Sequence, residues 1–209
     1  MEIHVNGTWI KMGKNRLETF SDGVLAIIIT IMVLELRLPE NIYSTHSLMG
    51  IVEFISPKVL SYLLSFTVVA ILLVNHHAIM RLAPHATTGL YWWNAHLLFW
   101  TSLIPFATAT MGANPFEPSA VAFYGLLMCA VSVAFGLLHG YAERLSVSVR
   151  RTRLRNYFDI GKDILSSILY AVGAALAFLS VYLAIAIFVV ISAAYFLPSY
   201  GEHRYSTKG

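Results

Sequence analysis

The chain has 209 residues, of which 57% are hydrophobic and 12% are charged, and its formal net charge is +3. Soluble domains carry about 25% charged residues, so the composition argues against a soluble domain and indicates an integral membrane protein. The small positive charge gives no indication of nucleic-acid binding, and a single cysteine, Cys129, excludes a disulfide within one chain.

The first apolar segment follows a polar, mixed stretch of about 15 residues that has no signal-peptide pattern. We predict a helix at about residues 17–38. At a rise of 1.5 Å per residue, Thr19 to Leu36 would span roughly 27 Å, close to the hydrocarbon thickness of a bilayer. Such a segment crosses a membrane only as a helix, because lipid offers no partners to its backbone.

One face of this helix carries branched apolar residues. Ile27, Ile31 and Leu34 stand at i, i+4 and i+7, within about 60° of one another at 100° per residue, and Thr30 lies at the edge of the same stripe. Asp22 points roughly 140° away from Ile27. By periodicity alone, the stripe is typical of a face that contacts lipid or other helices.

Three further apolar segments follow. The second helix is predicted at about residues 51–81 and ends near Asn75-His76-His77. The third, at about residues 90–111, opens with Tyr91-Trp92-Trp93, which is typical of an aromatic belt at a membrane interface. The fourth covers about residues 119–141. A basic connection leads from it to the last apolar stretch.

The last apolar stretch, residues 164–197, is too long for one span and short for two. We predict a tight hairpin of two short helices, at about residues 163–179 and 182–197, with a turn near Leu179-Ser180. A polar tail follows. The chain is therefore predicted to be one all-α, polytopic transmembrane domain, residues 1–209, with six helices.

The basic residues predict the orientation. With six spans and the amino terminus inside, the outer segments hold only Arg37 and Lys58. The inner segments hold Lys11, Lys14, Arg16, Arg81, Arg144, Arg150, Arg151, Arg153, Arg155, Lys162, Arg204 and Lys208. This bias predicts that both termini are cytoplasmic. The cluster from Arg150 to Arg155 is interpreted as a topogenic patch that contacts lipid headgroups, and binding of a cytoplasmic partner or regulatory lipid stays open.

The first helix also carries a family signature. The sequence reads Phe20-Ser21-Asp22-Gly23-Val24, preceded by Arg16 and closed by Val33-Leu34-Glu35-Leu36. This stretch resembles the first-helix signature of the transmembrane protein 175 family. The resemblance implies a tetrameric, potassium-selective cation channel of lysosomal or prokaryotic membranes. Only one copy of the signature occurs, as in prokaryotic members, so the resemblance implies a homotetramer in a prokaryotic cell membrane, in contact with membrane lipids.

The same resemblance gives the stripe a role, because the family builds its constriction from first-helix positions. It implies that Ile27, Ile31 and Leu34 line a pore and form an apolar neck that gates by dewetting. Thr30 either helps to stabilise a partly dehydrated cation or donates back to the carbonyl of Ala26. Glu35 lies at the outer end of the helix, either as an exposed pair with Arg37 or as a ring that attracts cations to the mouth.

A set of polar residues near the predicted cytoplasmic ends of the helices forms a second candidate site. An acid in a membrane helix needs a partner, and the candidates for Asp22 are Arg16, the two adjacent histidines, Trp93 and Asn94. We interpret the set as a structural network rather than an ion-binding site. Its members are Arg16, Ser21, Asp22, His76, His77 and Asn94.

Potassium conduction by a passive channel is therefore the function predicted first. The alternative is a proton-coupled secondary transporter that uses Asp22 and the membrane histidines, and a membrane scaffold without transport also stays open. No enzyme motif of the G-x-S-x-G, H-E-x-x-H or phosphate-binding glycine type occurs. We therefore expect no enzymatic activity and no cofactor. We also expect no resident metal, because adjacent residues such as His76 and His77 diverge by about 100° on a helix and cannot share a metal ion.

Overall fold

The computed structural model describes residues 2–5, 8–11, 13–37, 48–146 and 153–196. In this part of the chain the body is helical, in agreement with the all-α prediction. Its helices are α1 (Lys14–Val33), α2 (Leu48–Leu82), α3 (Thr88–Ser102), α4 (Ile104–Ala113), α5 (Pro118–Leu145), α6 (Arg153–Leu176) and α7 (Val181–Phe196).

A short β-hairpin precedes the helices. Strand β1 (Glu2–Val5) pairs antiparallel with β2 (Thr8–Lys11), so that Glu2 lies opposite Lys11. The sequence analysis did not predict this hairpin, because strands of four residues are too short to give a clear period of two.

Helix α1 ends earlier than predicted, at Val33 rather than near residue 38. The amides of the next three residues, Leu34, Glu35 and Leu36, donate to carbonyls three positions back, at 2.9, 3.3 and 3.1 Å. This tight turn closes the helix. The apolar sequence continues through the turn, so composition alone did not mark the end.

The third predicted helix is two helices in the structure. Helix α3 ends at Ser102 and α4 begins at Ile104, with Leu103 between them. Pro105 has no amide hydrogen to donate within the helix, and the amide of Leu103 donates to the carbonyl of Trp100 at 3.2 Å. Proline at the start of α4 therefore interrupts the helix and restarts it.

The last two helices form the predicted hairpin. The amides of Leu179 and Ser180 donate to the carbonyl of Leu176 at 2.9 and 2.8 Å, which closes α6 before α7 begins at Val181. However, α6 begins at Arg153 rather than near residue 163. The prediction used hydropathy, whereas arginine is a good helix former and extends the helix beyond its apolar part.

Helix α5 lies at the centre of the packing. It contacts α2, α3, α4, α6 and α7, and α1 packs against α2, α3 and α4. Within the described residues, two helices are long and apolar enough to cross a bilayer by length and composition, Gly50–Leu82 within α2 and Pro118–Leu145. The six-span topology therefore stays a prediction, and several residues that support it, including Arg150, Arg151 and Arg204, lie outside the described residues.

Candidate functional site

The stripe on α1 faces away from the packed core. The side chains of Ile27, Ile31 and Leu34 are 57%, 43% and 59% exposed, whereas the neighbouring Ile28 and Met32 are buried. Large apolar side chains at such exposure need lipid or another protein surface in a membrane protein. The stripe is thus available to line a space formed with other copies of the chain.

Thr30 lies beside this stripe and is exposed. Its hydroxyl donates to the carbonyl of Ile27 at 2.9 Å, not to Ala26 as the back-bonding alternative expected. The donor of Thr30 is therefore used within its own helix, and its oxygen keeps acceptor capacity next to Ile31.

An apolar groove of about 450 Å³ borders the stripe. Its walls come from α1 and from the break between α3 and α4, and they include Ile27, Ile31, Pro105 and Phe106. Glu35 lines the same groove and places a carboxylate at its end. The groove therefore runs along the stripe to the residues just past the carboxyl-terminal end of α1.

Glu35 and Arg37 are both exposed, but they do not form an ion pair in the described part of the chain. The Nε atom of Arg37 donates to the carbonyl of Leu34 at 3.1 Å, and Nζ of Lys58 donates to the carbonyl of Arg37 at 3.1 Å. The Arg37 side chain therefore caps the turn that closes α1, Lys58 ties the following backbone to α2, and Glu35 lines the groove.

A buried chain of hydrogen bonds joins α1, α2 and α3. Nδ2 of Asn94 donates to Oγ of Ser21 at 2.8 Å, and Ser21 donates to the carbonyl of Leu17 at 2.9 Å. Oδ1 of Asn94 lies 2.8 Å from Nε2 of His76. Because Nδ2 is already the donor to Ser21, Oδ1 must accept, so Nε2 of His76 carries the hydrogen. The side chains of Ser21, His76 and Asn94 are at most 1% exposed.

Asp22 lies next to this chain and faces the second histidine. Its Oδ1 is 3.5 Å from Nδ1 of His77, an ion-pair distance rather than a hydrogen bond. Oδ1 of Asp22 is itself buried and accepts no hydrogen bond from the described residues. Arg16 is exposed and forms no ion pair with Asp22 in the same part of the chain. Of the predicted partners, the structure brings His77 to Asp22 and leaves Arg16 apart.

The adjacent histidines therefore have separate partners, His76 towards α3 and His77 towards α1. Helix geometry explains this, since neighbouring positions diverge by about 100°. Together, the network and the Asp22–His77 contact connect α1 to α2 and α3 beside the stripe. Ile27 and Ile31 lie on the exposed side of the same helix.

The sequence analysis missed a second buried polar cluster, between α5 and α6. Nδ1 of His139 lies 2.8 Å from Oδ2 of Asp163, and both residues are buried. Ser132, Ser166 and Ser167 surround the backbone carbonyl of Asp163. A signal was present in the spacing, because Ser166 and Ser167 follow Asp163 by three and four positions on one helix face.

Comparison with known proteins gives a consistent family match. The family model described as the endosomal/lysosomal potassium channel TMEM175 matches residues 16–105. These residues include most of α1, the polar network and the stripe. The match ends at Pro105, the second residue of α4.

Curated bacterial proteins match over most of the chain. A potassium channel of Chryseobacterium sp. (strain P1-3) is 37% identical over 187 residues, which cover 90% of this chain and 94% of the relative. A potassium channel of Chamaesiphon minutus (strain ATCC 27169 / PCC 6605) is 32% identical over 190 residues, 88% of this chain and 94% of the relative. These relatives are channels, a non-enzymatic kind of protein.

A solved structure supports the same match. The crystal structure of a lysosomal potassium-selective channel TMEM175 homolog from Chamaesiphon minutus superposes with a TM-score of 0.77 at 29% identity. The alignment covers 87% of this chain and 95% of the solved chain. Sequence and fold therefore agree over nearly the whole length.

Proposed function

Because the chain belongs to the TMEM175 family of potassium channels, we propose that it conducts potassium passively through a pore lined by α1. The observation that supports this most directly is the exposed apolar stripe of Ile27, Ile31 and Leu34. The chain is a membrane protein of a family with bacterial relatives. We further propose which helix lines the pore, how many copies of the chain assemble and on which side of the membrane the termini lie.

The pathway requires several copies of the chain. One helix cannot enclose a pore, and we propose a homotetramer in which four α1 helices face a common axis. The stripe is exposed in the single chain, so it is free to face the other copies in this arrangement. In the proposed topology the chain crosses the cell membrane six times, and both termini are cytoplasmic.

The stripe would form the narrowest part of the pore. A ring of isoleucines at position 27, followed by rings at Ile31 and Leu34, narrows the pathway and disfavours water, so it gates by dewetting. Sodium loses more hydration free energy than potassium on entering an apolar neck, which favours potassium. The acceptor oxygen of Thr30 stabilises a partly dehydrated ion beside the neck.

The buried network has a structural role in this proposal. The hydrogen bonds of Ser21, His76 and Asn94 and the Asp22–His77 contact fix the rotation of α1 relative to α2 and α3. Asp22 lies off the exposed stripe, which supports a role in positioning α1 rather than in binding the permeant ion. Loss of the network is expected to rotate or loosen the neck.

Current through planar bilayers tests the proposal. Purified wild type is recorded under a potassium/sodium gradient and compared with Ile27→Asn. We expect a wild-type reversal potential near that of potassium. Ile27→Asn should raise the conductance several-fold and move the reversal potential towards zero, because an amide hydrates the neck. Val190→Asn is the matched control, since Val190 is an exposed aliphatic residue on α7, and it should leave both quantities unchanged.

Two outcomes would contradict the proposal. If wild type passes no current but shows saturable, proton-linked flux that Asp22→Asn abolishes, the protein is a transporter. If wild type conducts potassium and Ile27→Asn behaves like Val190→Asn, the protein is a channel whose neck lies elsewhere.

The carboxylate at the end of the groove gives a further prediction. A ring of four Glu35 side chains would raise the local concentration of cations at the outer mouth. We expect Glu35→Gln to lower the single-channel conductance by about twofold at low salt and to have little effect at high salt, where screening removes the attraction. The matched control is Glu117→Gln, because Glu117 is also exposed but lies on the α4–α5 connection. Equal losses at low and high salt would contradict the electrostatic role.

A further inference from the structure

Three buried hydroxyl groups meet where α2, α4 and α5 pack together, apart from the polar network around Asn94. Oγ1 of Thr108 on α4 lies 2.7 Å from Oγ of Ser65 on α2, and that oxygen lies 3.1 Å from the hydroxyl of Tyr124 on α5. The three residues are at most 3% exposed. A buried polar group that loses its partner is costly, so this hydroxyl cluster constrains how the three helices meet.

Helix α4 has few other polar contacts with its neighbours. It has 10 residues, and Pro105 interrupts the hydrogen bonds that would join it to α3. Among the described residues, the contact of Thr108 with Ser65 is the only side-chain hydrogen bond between α4 and another helix. The hydroxyl of Thr110 instead donates to the carbonyl of Phe106 within α4, at 2.8 Å. Thr108 therefore makes the polar contact that holds α4 against α2.

The opposite face of α4 lies at the α1 stripe. Thr108 and Phe106 are two positions apart, which places them about 200° apart around the helix, and they are 3% and 63% exposed. Phe106 lines the groove together with Ile27 and Ile31. Its ring packs edge-on against Phe123 of α5, with the centroids 5.7 Å apart. A rotation of α4 that breaks the hydroxyl cluster would therefore move the Phe106 ring relative to the stripe.

We propose that Thr108 is a positioning residue for ion selectivity and that it acts through Phe106. With the hydroxyl cluster intact, α4 holds Phe106 beside Ile27 and Ile31 and keeps the neck at one width. Without the cluster, the neck samples several widths, and it then discriminates less between ions that differ in hydration. The inference rests on the proposed function, since it takes the neck to lie at the stripe, and it assigns part of the selectivity to a residue outside α1.

Single-channel recordings in planar bilayers test this role, because the reversal potential of an open channel does not depend on how many molecules have folded. Wild type, Thr108→Val and Thr108→Ser are compared under a potassium/sodium gradient. Valine keeps the shape of threonine but lacks the hydroxyl, so Thr108→Val should lower the potassium-to-sodium permeability ratio by about twofold or more. Thr108→Ser keeps the hydroxyl and should keep the wild-type ratio.

Thr110→Val is the matched control, because it removes a hydroxyl of the same helix that bonds within α4, and it should leave the ratio unchanged. Ser65→Ala removes the Thr108 contact from the side of α2 and should reproduce Thr108→Val. If Thr108→Val does not fold, Ser65→Ala decides. The double variant Thr108→Val/Phe106→Leu tests the route. If Thr108 acts through Phe106, its ratio should differ little from that of Phe106→Leu alone.

Two results would overturn this inference and leave the proposed function in place. In the first, wild type conducts potassium and responds to Ile27→Asn, but Thr108→Val and Ser65→Ala lower Tm without changing the permeability ratio. The hydroxyl cluster then contributes to packing alone. In the second, the effects of Thr108→Val and Phe106→Leu on the ratio add fully, so Thr108 does not act through Phe106. A wild type that passes no potassium current overturns the proposed function, and this inference with it.

Discussion

Asn94→Leu is expected to destabilise the folded protein by about 2–3 kcal/mol, the upper part of the range for leaving a buried donor without a partner. Asn94 is 1% exposed and accepts from Nε2 of His76, which is also 1% exposed. Leucine offers no acceptor, so the imidazole donor would be left unpaired in an apolar environment. The loss at Ser21 costs less free energy, because its hydroxyl still donates to the carbonyl of Leu17. In thermal unfolding, Tm should fall by about 5–10 °C.

The double variant His76→Phe/Asn94→Leu separates this explanation from a simple packing defect. When both members of a buried hydrogen bond become apolar groups of similar shape, the loss can be nearly neutral. We therefore expect the double variant to recover most of the Tm lost by Asn94→Leu. If the stability losses of the two substitutions instead add, the loss comes from packing and the hydrogen bond contributes little. In bilayers, the single variant should also lower channel activity, because α1 loses its fixed rotation.

The helices themselves were predictable from the sequence, because apolar runs long enough to cross a bilayer have few other solutions. Their ends were less so. Helix α1 stops at Val33 and the third predicted helix breaks at Leu103, although apolar residues continue through both points. A helix ends where backbone amides no longer find carbonyl partners within it. Pro105 has no amide hydrogen, so one such hydrogen bond is missing at the break. Hydropathy does not record that property.

The two polar clusters differ in how far the sequence could predict them. His76 and Asn94 were expected to meet Ser21 and Asp22, because the predicted topology places their helix ends at one membrane face. His139 and Asp163 are 24 positions apart and pair at 2.8 Å. That pairing depends on which faces of α5 and α6 pack together. Side-chain packing between helices determines those faces, and composition gives no direct measure of it.

A second large loss of stability is expected from a substitution where α5 packs closely against α6 and α7. A Cβ atom built on Gly125 would lie 2.6 Å from Cζ of Phe188 and 3.2 Å from the Cα atom of Ala174. Phe188 is fully buried and packs against the rings of Tyr124 and Tyr170, so its ring has no free space to enter. Gly125→Ala is therefore expected to destabilise the protein by about 2–3 kcal/mol through overpacking.

Gly140→Ala is the matched control, because Gly140 lies on the same helix and an added Cβ there meets nothing within 4 Å. Alanine is a better helix former than glycine by about 0.8–1 kcal/mol. Gly140→Ala should therefore raise Tm by about 2–3 °C, whereas Gly125→Ala should lower it by about 5–10 °C. Adding Phe188→Leu to Gly125→Ala should cost less than the sum of the two single changes, since the smaller side chain makes room for the new methyl group. If the two changes in the free energy of unfolding add strictly, Phe188 does not limit the approach of the helices. The destabilisation by Gly125→Ala would then have to come from the contact with Ala174 and its backbone.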